Sequence, residues 1–341
     1  HYFRDKSVAF EAFKAGEIDV WREDDAARWA RGYDFPAHNN GKVIKKDFEN
    51  GRPGKVRALI FNTRRTPFDK RKVRKALSLA IDYDWINKNL FHGKYKRITS
   101  YFPGSGLQAR GKPDKAQLEL LKPYKDTLPE TVFGKAYSPS TSGKDKNMRA
   151  NLRKADRLLR EAGWVMKDGR RMKDGKPFKF EILLDQPKDE KIALNFKRHL
   201  KRLGIDVNLR RMDSAAFRGR LNDYDYDMVL YHWQNSLSPG TEQMLYWGCE
   251  AGKSQANFNF AGICHEGVEA IAGGMANVKS RQALLAHARA LDRILTWQFY
   301  AIPLFYSPVD RIAFWDDIGH PRTTPLYGPV LETWWHKPEK N

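Results

Sequence analysis

The stretch Phe61-Asn62-Thr63-Arg64-Arg65-Thr66-Pro67-Phe68-Asp69-Lys70-Arg71-Lys72-Val73-Arg74-Lys75-Ala76-Leu77-Ser78-Leu79-Ala80-Ile81-Asp82 decides the fold. It is entered through an apolar run, Val56 to Asn62, of the type that forms a buried strand. The polar residues Thr63 to Thr66 and then Pro67 end that strand. Asp69 stands where it can cap the next helix, in which Val73, Leu77, Ala80 and Ile81 fall on one face.

Upstream, Ser7 to Lys14 reads as a helix stopped by Gly16, Ile18 to Val20 as a short strand, and Asp24 to Arg31 as a second helix. Downstream, residues Ser100 to Ser142 are rich in Gly, Pro and polar side chains and predict an irregular excursion. Met148 to Ala162 predicts a helix with Leu152, Ala155, Leu158, Leu159 and Ala162 inward, ending at Gly163. Two Lys-Asp-Gly turns, at 167–169 and 173–175, predict a hairpin-like span. Beyond it come strand Phe178–Leu184, helix Glu190–Leu203, strand Ile205–Met212, helix Ser214–Leu221 and strand Tyr226–Trp233. This alternation places the chain in the α/β class. An aromatic loop over Gln234–Asn259, a long helix Val278–Thr296 and a strand Ile302–Tyr306 complete the expected elements.

The length of 341 residues suffices for two packed domains, and 41% hydrophobic residues with 10 tryptophans exclude a wholly disordered chain. No run of eighteen apolar residues occurs, so the sequence contains no membrane-spanning helix signal. The formal charge of +20 raises the local concentration of anionic partners. The basic residues are dispersed in short groups such as Lys70-Arg71-Lys72, without a zinc-ligand array or an RNA-binding motif, so nucleic acid is not the expected partner. Cys249 and Cys264 are the only cysteines; they are too few for a structural zinc shell and fit either a disulfide or two buried thiols.

Catalytic signatures are missing: no G-x-S-x-G elbow, H-E-x-x-H helix or phosphate-binding glycine loop is present, and no cofactor is called for. The nine histidines are scattered. Asp223, Asp225 and Asp227 alternate, which suits the entry of a strand better than a calcium loop, since the EF-hand glycine and distal glutamate are missing. The aromatics Tyr231, Trp233, Tyr246 and Trp247 lie near Asn235, Ser236 and Ser238. Rings supply contact area and amides satisfy main-chain groups, which is what a peptide ligand needs; core packing is the alternative for Trp233 and Trp247. A hydrolase using Asp82 or Asp227 with a histidine, and a basic nucleic-acid binder, are the rival readings.

The quoted stretch strongly resembles the "FN…PF.D.RVR.AL..AID" signature of the family 5 extracellular solute-binding proteins of peptide and nickel ABC importers. Ala155 to Trp164 is similar to that family's "A..LL.EAGW" helix, Leu200 to Val207 to "L..LGI.V", and Tyr224 to Met228 to "YDFDM". Tyr2-Phe3-Arg4-Asp5, Ser100-Tyr101-Phe102 and Ser236 to Gln243 resemble the YejA-like branch, which includes the importer component admitting the peptide-nucleotide microcin C.

The resemblance implies a two-lobe, type II periplasmic-binding-protein architecture that closes on a peptide without altering it. It also implies that the N-terminal part of the first lobe is missing here. Residues 1–55 would end lobe I and cross the hinge, 56–300 would form lobe II with ligand-facing loops, and 301–341 would return to lobe I. The expected ligand-facing residues are Asn62, Arg64, Tyr101, Tyr231, Trp233, Asn235, Ser236, Tyr246 and Trp247. Trp233 matches the tryptophan of the family's "W.AD" loop, where an aspartate grips the free ammonium of a peptide; here Asn235 or Ser236 stands in its place. The implied partners are a peptide or modified peptide, the importer's membrane permease and the missing lobe, and the implied location is the periplasm. No metal or cofactor is implied.

Overall fold

The computed structural model describes residues 3, 5–141 and 148–338. Tyr2 and Arg4 of the N-terminal resemblance, and Ser142 at the end of the expected excursion, lie outside the described residues. In chain order the main elements begin with α1 (Lys6–Ala15), β1 (Val20–Glu23), α2 (Ala26–Arg31), β2 (Val43–Glu49), β3 (Val56–Phe61) and α3 (Arg71–Ser78). They continue with α4 (Met148–Glu161), β4 (Lys179–Leu184), α5 (Pro187–Arg202), β5 (Asp206–Arg211), α6 (Ser214–Asn222) and β6 (Met228–Trp233). The last are α7 (Glu242–Trp247), α8 (Cys249–Lys253), α9 (Glu266–Gly274), α10 (Arg281–Trp297), β7 (Ala301–Pro303) and β8 (Val309–Trp315). Among the described residues no helix is long and apolar enough to cross a membrane.

The chain divides into two compact units. The first comprises residues 1–52, 87–96 and 307–341. Its sheet is antiparallel, in the order β1-β8-β2. Alternation along β8 sends Ala313 to one face, with Phe10, Phe13, Trp29, Tyr33 and Phe35, and Ile312 and Phe314 to the other, with Phe48 and Ile318. Asp5 caps α1 by accepting from Ser7 N at 2.6 Å, and Gly16, at φ 85°, ends it.

The second unit comprises residues 53–86 and 97–306. Its five-stranded sheet has the order β7-β3-β6-β4-β5. Strands β4, β5 and β6 are parallel neighbours, and β3 runs antiparallel to both β6 and β7. Val56, Ala58, Leu59, Ile60 and Phe61 of β3 are all buried, as its apolar run requires of a strand covered on both faces. Helix α4 buries Leu152, Ala155 and Leu159 and is followed by Gly163 at φ 84°, as the sequence pattern predicts, whereas Leu158 and Ala162, also expected inward, are only half-buried. Both Lys-Asp-Gly turns form, with Asp168, Gly169, Asp174 and Gly175 at positive φ, and they produce a three-stranded meander over 165–177.

Three expectations are corrected. Asp69 does not cap α3: it pairs with Lys70 at 2.9 Å, and the helix begins without a side-chain cap. The turn is held from inside by buried Arg74, which donates to Phe68 O at 2.7 Å and Gln298 O at 2.8 Å. The 100–141 excursion contains a helix, Lys115–Leu121, and the 234–259 loop contains α7 and α8. In the excursion, backbone groups that have no ladder partner are satisfied by α10. Asp292 accepts from Tyr101 N at 2.7 Å and Ala109 N at 2.9 Å, and Arg293 donates to Gln117 Oε1 and to the carbonyls of Arg110, Gly111 and Gly134.

Cys249 and Cys264 form a disulfide with sulfurs 2.19 Å apart, deciding between the two open alternatives. The loop it closes receives Trp233 Nε1 on Phe258 O at 2.9 Å and Tyr226 Oη on Phe260 O at 2.7 Å. Replacing both cysteines by serine is expected to lower unfolding free energy by about 3 kcal/mol, the loop-entropy value for a closure of this size. Urea titration of the variant and the oxidised parent checks it.

Candidate functional site

In an open α/β sheet, ligands bind beyond the carboxyl ends of the strands, at the point where strand order reverses. In the second unit the chain steps outward from β4 to β5 and then back across to β6, so that reversal lies between β4 and β6. The strand ends Leu184, Arg211, Trp233 and Pro303 and the beginning of β3 at Val56 define this edge.

The segment leaving β6 at this edge is fixed by buried amides. Trp247 Nε1 donates to Gln243 Oε1 at 2.8 Å, Gln243 Nε2 donates to Asn235 Oδ1 at 2.7 Å, and Asn235 Nδ2 donates to Tyr101 O at 2.8 Å. All four residues are buried. The ring of Tyr101 packs 5.8 Å from Trp233 and 5.2 Å from Trp247. Tyr246 Oη donates to Gln234 O at 3.0 Å, and Ser236 Oγ accepts from Ser238 N at 3.1 Å. What the segment offers to solvent is therefore the side chains of Gln234, Ser236 and Ser238.

Several expected ligand-facing residues are reassigned by this arrangement. Tyr101, Trp233, Asn235 and Trp247 are core residues with at most 4% exposure, so they position the edge and present no surface of their own. Asn62 is also buried and lies at the opposite edge. Its strand pairs Phe61 with Met228 and Val56 with Trp233, placing it roughly 20 Å from Trp233 at the usual rise per residue. There Asn62 Nδ2 donates to Tyr224 O and Tyr226 O, both at 2.9 Å. Arg64 lies over the Tyr224 ring at 3.8 Å and donates to Asn259 O at 2.9 Å. Both fasten the disulfide loop and the entry to β6. Asp225 and Asp227 serve the same entry, paired with Arg65 at 2.8 Å and 3.2 Å. No group of three or more His, Cys, Asp or Glu side chains placed to hold a metal occurs among the described residues.

Charged groups beside the carboxyl edge complete the site, and pattern reading missed them. Arg57 on β3 pairs with Asp189 in the first turn of α5, whose side chain is fully buried. Burial raises the Asp189 carboxyl, opposed by Arg57. His232, opposite Arg57 in the ladder, is lowered to about 4, first by burial and then by Lys55 and Arg57. Tyr231 is half-buried; its Oη accepts from Arg218 at 3.0 Å. The available signal was an arginine inside an otherwise apolar strand, but a strand pattern does not say which helix its guanidinium will meet. A shallow cavity of about 310 Å³ lies beside the disulfide, with Met244, Leu245, Ala251 and Ser254 in its lining. Glu269, also in the lining, already accepts from Cys249 N at 2.7 Å.

The depressed value of His232 makes its contribution to stability complete above its ordinary value of about 6.5 and lost as pH falls toward about 4. His232→Gln is expected to flatten that loss by about 1–3 kcal/mol relative to the parent, read from urea midpoints between those two pH values.

Comparisons with known proteins follow the same lines. The model of the bacterial extracellular solute-binding proteins, family 5 (middle) matches residues 1–255. A Brucella melitensis biotype 1 protein named as a binding protein is 42% identical over 98% of this chain and 55% of its own length. The Agrobacterium fabrum protein YejA, named as a probable peptide-binding protein, is 36% identical over 98% of this chain and 55% of its own. This chain thus spans about half the length of these curated relatives. The solved oligopeptide-binding protein AppA of Bacillus subtilis, in complex with a nonapeptide, shares the fold with a TM-score of 0.71 at 20% identity, over 98% of this chain and 59% of that one. The chain belongs to the family 5 bacterial extracellular solute-binding proteins, the family its strand–turn–helix signature resembles.

Proposed function

We propose that this chain is the ligand-gripping part of a periplasmic peptide-binding component of an ABC importer, and that its ligand is a peptide with a blocked or shallowly bound amino terminus. The family is one of binding proteins, not enzymes. A relative 36% identical is named for probable peptide binding. The observation that carries the finer reading is the segment after β6, built of amides and hydroxyls. Asn235 turns inward to Tyr101 O, and Gln234 and Ser236 remain outward. Neither side chain that can stand in the place of the family's ammonium-binding aspartate carries a charge. A buried ammonium left without that counter-charge bears an uncompensated desolvation cost. An N-acylated peptide has no such charge to bury. Acidic or phosphate-bearing peptides, including peptide-nucleotides of the microcin C type, are the members of this ligand class that suit the basic excess.

Calorimetry with one peptide in free and N-formylated form is the direct test. The formylated form is expected to bind at least about tenfold more tightly, and a clear preference for the free amine would overturn the reading. Ser236→Asp, which places a carboxylate on the exposed part of the segment, is expected to move the preference toward the free amine by about tenfold. Gln243→Leu removes the middle of the amide chain. It is expected to cost about 2–3 kcal/mol of stability and to weaken both peptides alike, because it strands Trp247 Nε1 and Asn235 Oδ1.

A further inference from the structure

We infer that the meander over 165–177 is a docking surface for an anionic phospholipid bilayer. The paired register places Val165 opposite Met172 and Met172 opposite Pro177, so these three share one face of the meander. Lys167 and Arg170, paired at the first turn, lie on that same face. The other face carries Arg171, which is buried and tied to the rest of the unit by Asp156 at 2.6 Å, Leu203 O at 2.9 Å and Trp164 O at 3.3 Å. The face with Val165 lies opposite the one that Arg171 fastens, and Val165 is 51% exposed on it; Met166, on the Arg171 face, is 46% exposed, so apolar surface reaches solvent on both sides of the meander.

Charge complementarity selects the occupant. Residues 148–179 carry eleven Lys and Arg against four Asp and Glu. The two helical acids are already spent: Asp156 pairs with Arg160 and Arg171, and Glu161 with Lys72 and Arg157. Lys167 and Arg170 on the Val165 face, Lys176 on the other face, and Arg153 and Lys154 on α4 are exposed and have no ion-pair partner among the described residues. Arg171 N also donates to Gly204 O at 2.7 Å, which brings the last turn of α5, with exposed Lys201 and Arg202, beside the meander. A soluble polyanion would need the cations alone. Apolar side chains on one face with Lys167 and Arg170 match the headgroup–acyl boundary, where cations meet phosphates and the apolar groups leave water. Such docking would hold the binding protein at the surface in which a permease resides.

The test is partition of the full chain onto vesicles of phosphatidylcholine alone or with about 30 mol% phosphatidylglycerol, at low and high salt. Binding is expected to the anionic vesicles only. Lys167→Glu with Arg170→Glu is expected to weaken it at least about tenfold, and Val165→Asp several-fold. Lys122→Glu with Lys125→Glu, an equal change of charge elsewhere on the unit, is expected to alter it by less than about twofold. Unchanged melting temperatures establish that the variants are folded. Absence of binding to anionic vesicles, or an equal loss in the control pair, overturns the proposal. So does a Val165→Asp variant that binds normally, which would leave a purely electrostatic surface suited to an acidic macromolecule.

Discussion

A polar group buried away from water is costly unless it finds a partner inside the protein, and the amides at the carboxyl edge of the second unit are arranged by that demand. The indole N–H of Trp247, the two ends of the Gln243 amide, the two ends of the Asn235 amide and the carbonyl of Tyr101 form one continuous donor–acceptor chain. Each amide is oriented by the group before it, so only one arrangement satisfies them all. The aromatic rings of Tyr101, Trp233 and Trp247 exclude the water that could otherwise substitute. The exposed residues of the segment inherit their positions from this buried set. An aromatic wall can thus set the surface of the proposed ligand segment without being exposed on it.

Arginine solves the same problem elsewhere. Arg74, Arg171 and Arg293 are each at most 3% exposed and donate mainly to backbone carbonyls of segments that have no sheet or helix to pair with. A planar guanidinium with five donors can satisfy several carbonyls at once, which lysine cannot do in one plane. Part of the +20 formal charge is therefore structural and does not bear on partners. What remains exposed is uneven, and the meander is a place where it meets apolar side chains.

The register between β3 and β6 has the widest consequences for the site. It separates Asn62 and Arg64 from Trp233 and the segment beyond it by the length of a strand. The disulfide-closed loop spans the two ends, receiving Arg64 and Tyr226 near one and Trp233 near the other. A family signature at one edge and the proposed ligand segment at the other are thus joined through one loop, although only the second lies where an α/β sheet binds its ligand.

Local chemistry alone determined the α/β class, the β3-to-α3 unit, the amphipathic helix α4, both Lys-Asp-Gly turns and the family. These depend on spacing, on glycine at positive φ and on short runs of side chains, all carried by neighbours in the chain. The edge to which Asn62 belongs, the burial of Tyr101 and Trp247, the pairing of Arg57 with Asp189 and of Cys249 with Cys264, and the inward turn of Asn235 were decided only by tertiary structure. Each joins residues from different elements, and a residue's own sequence pattern carries no record of which buried donor or acceptor will face it once the strands have paired.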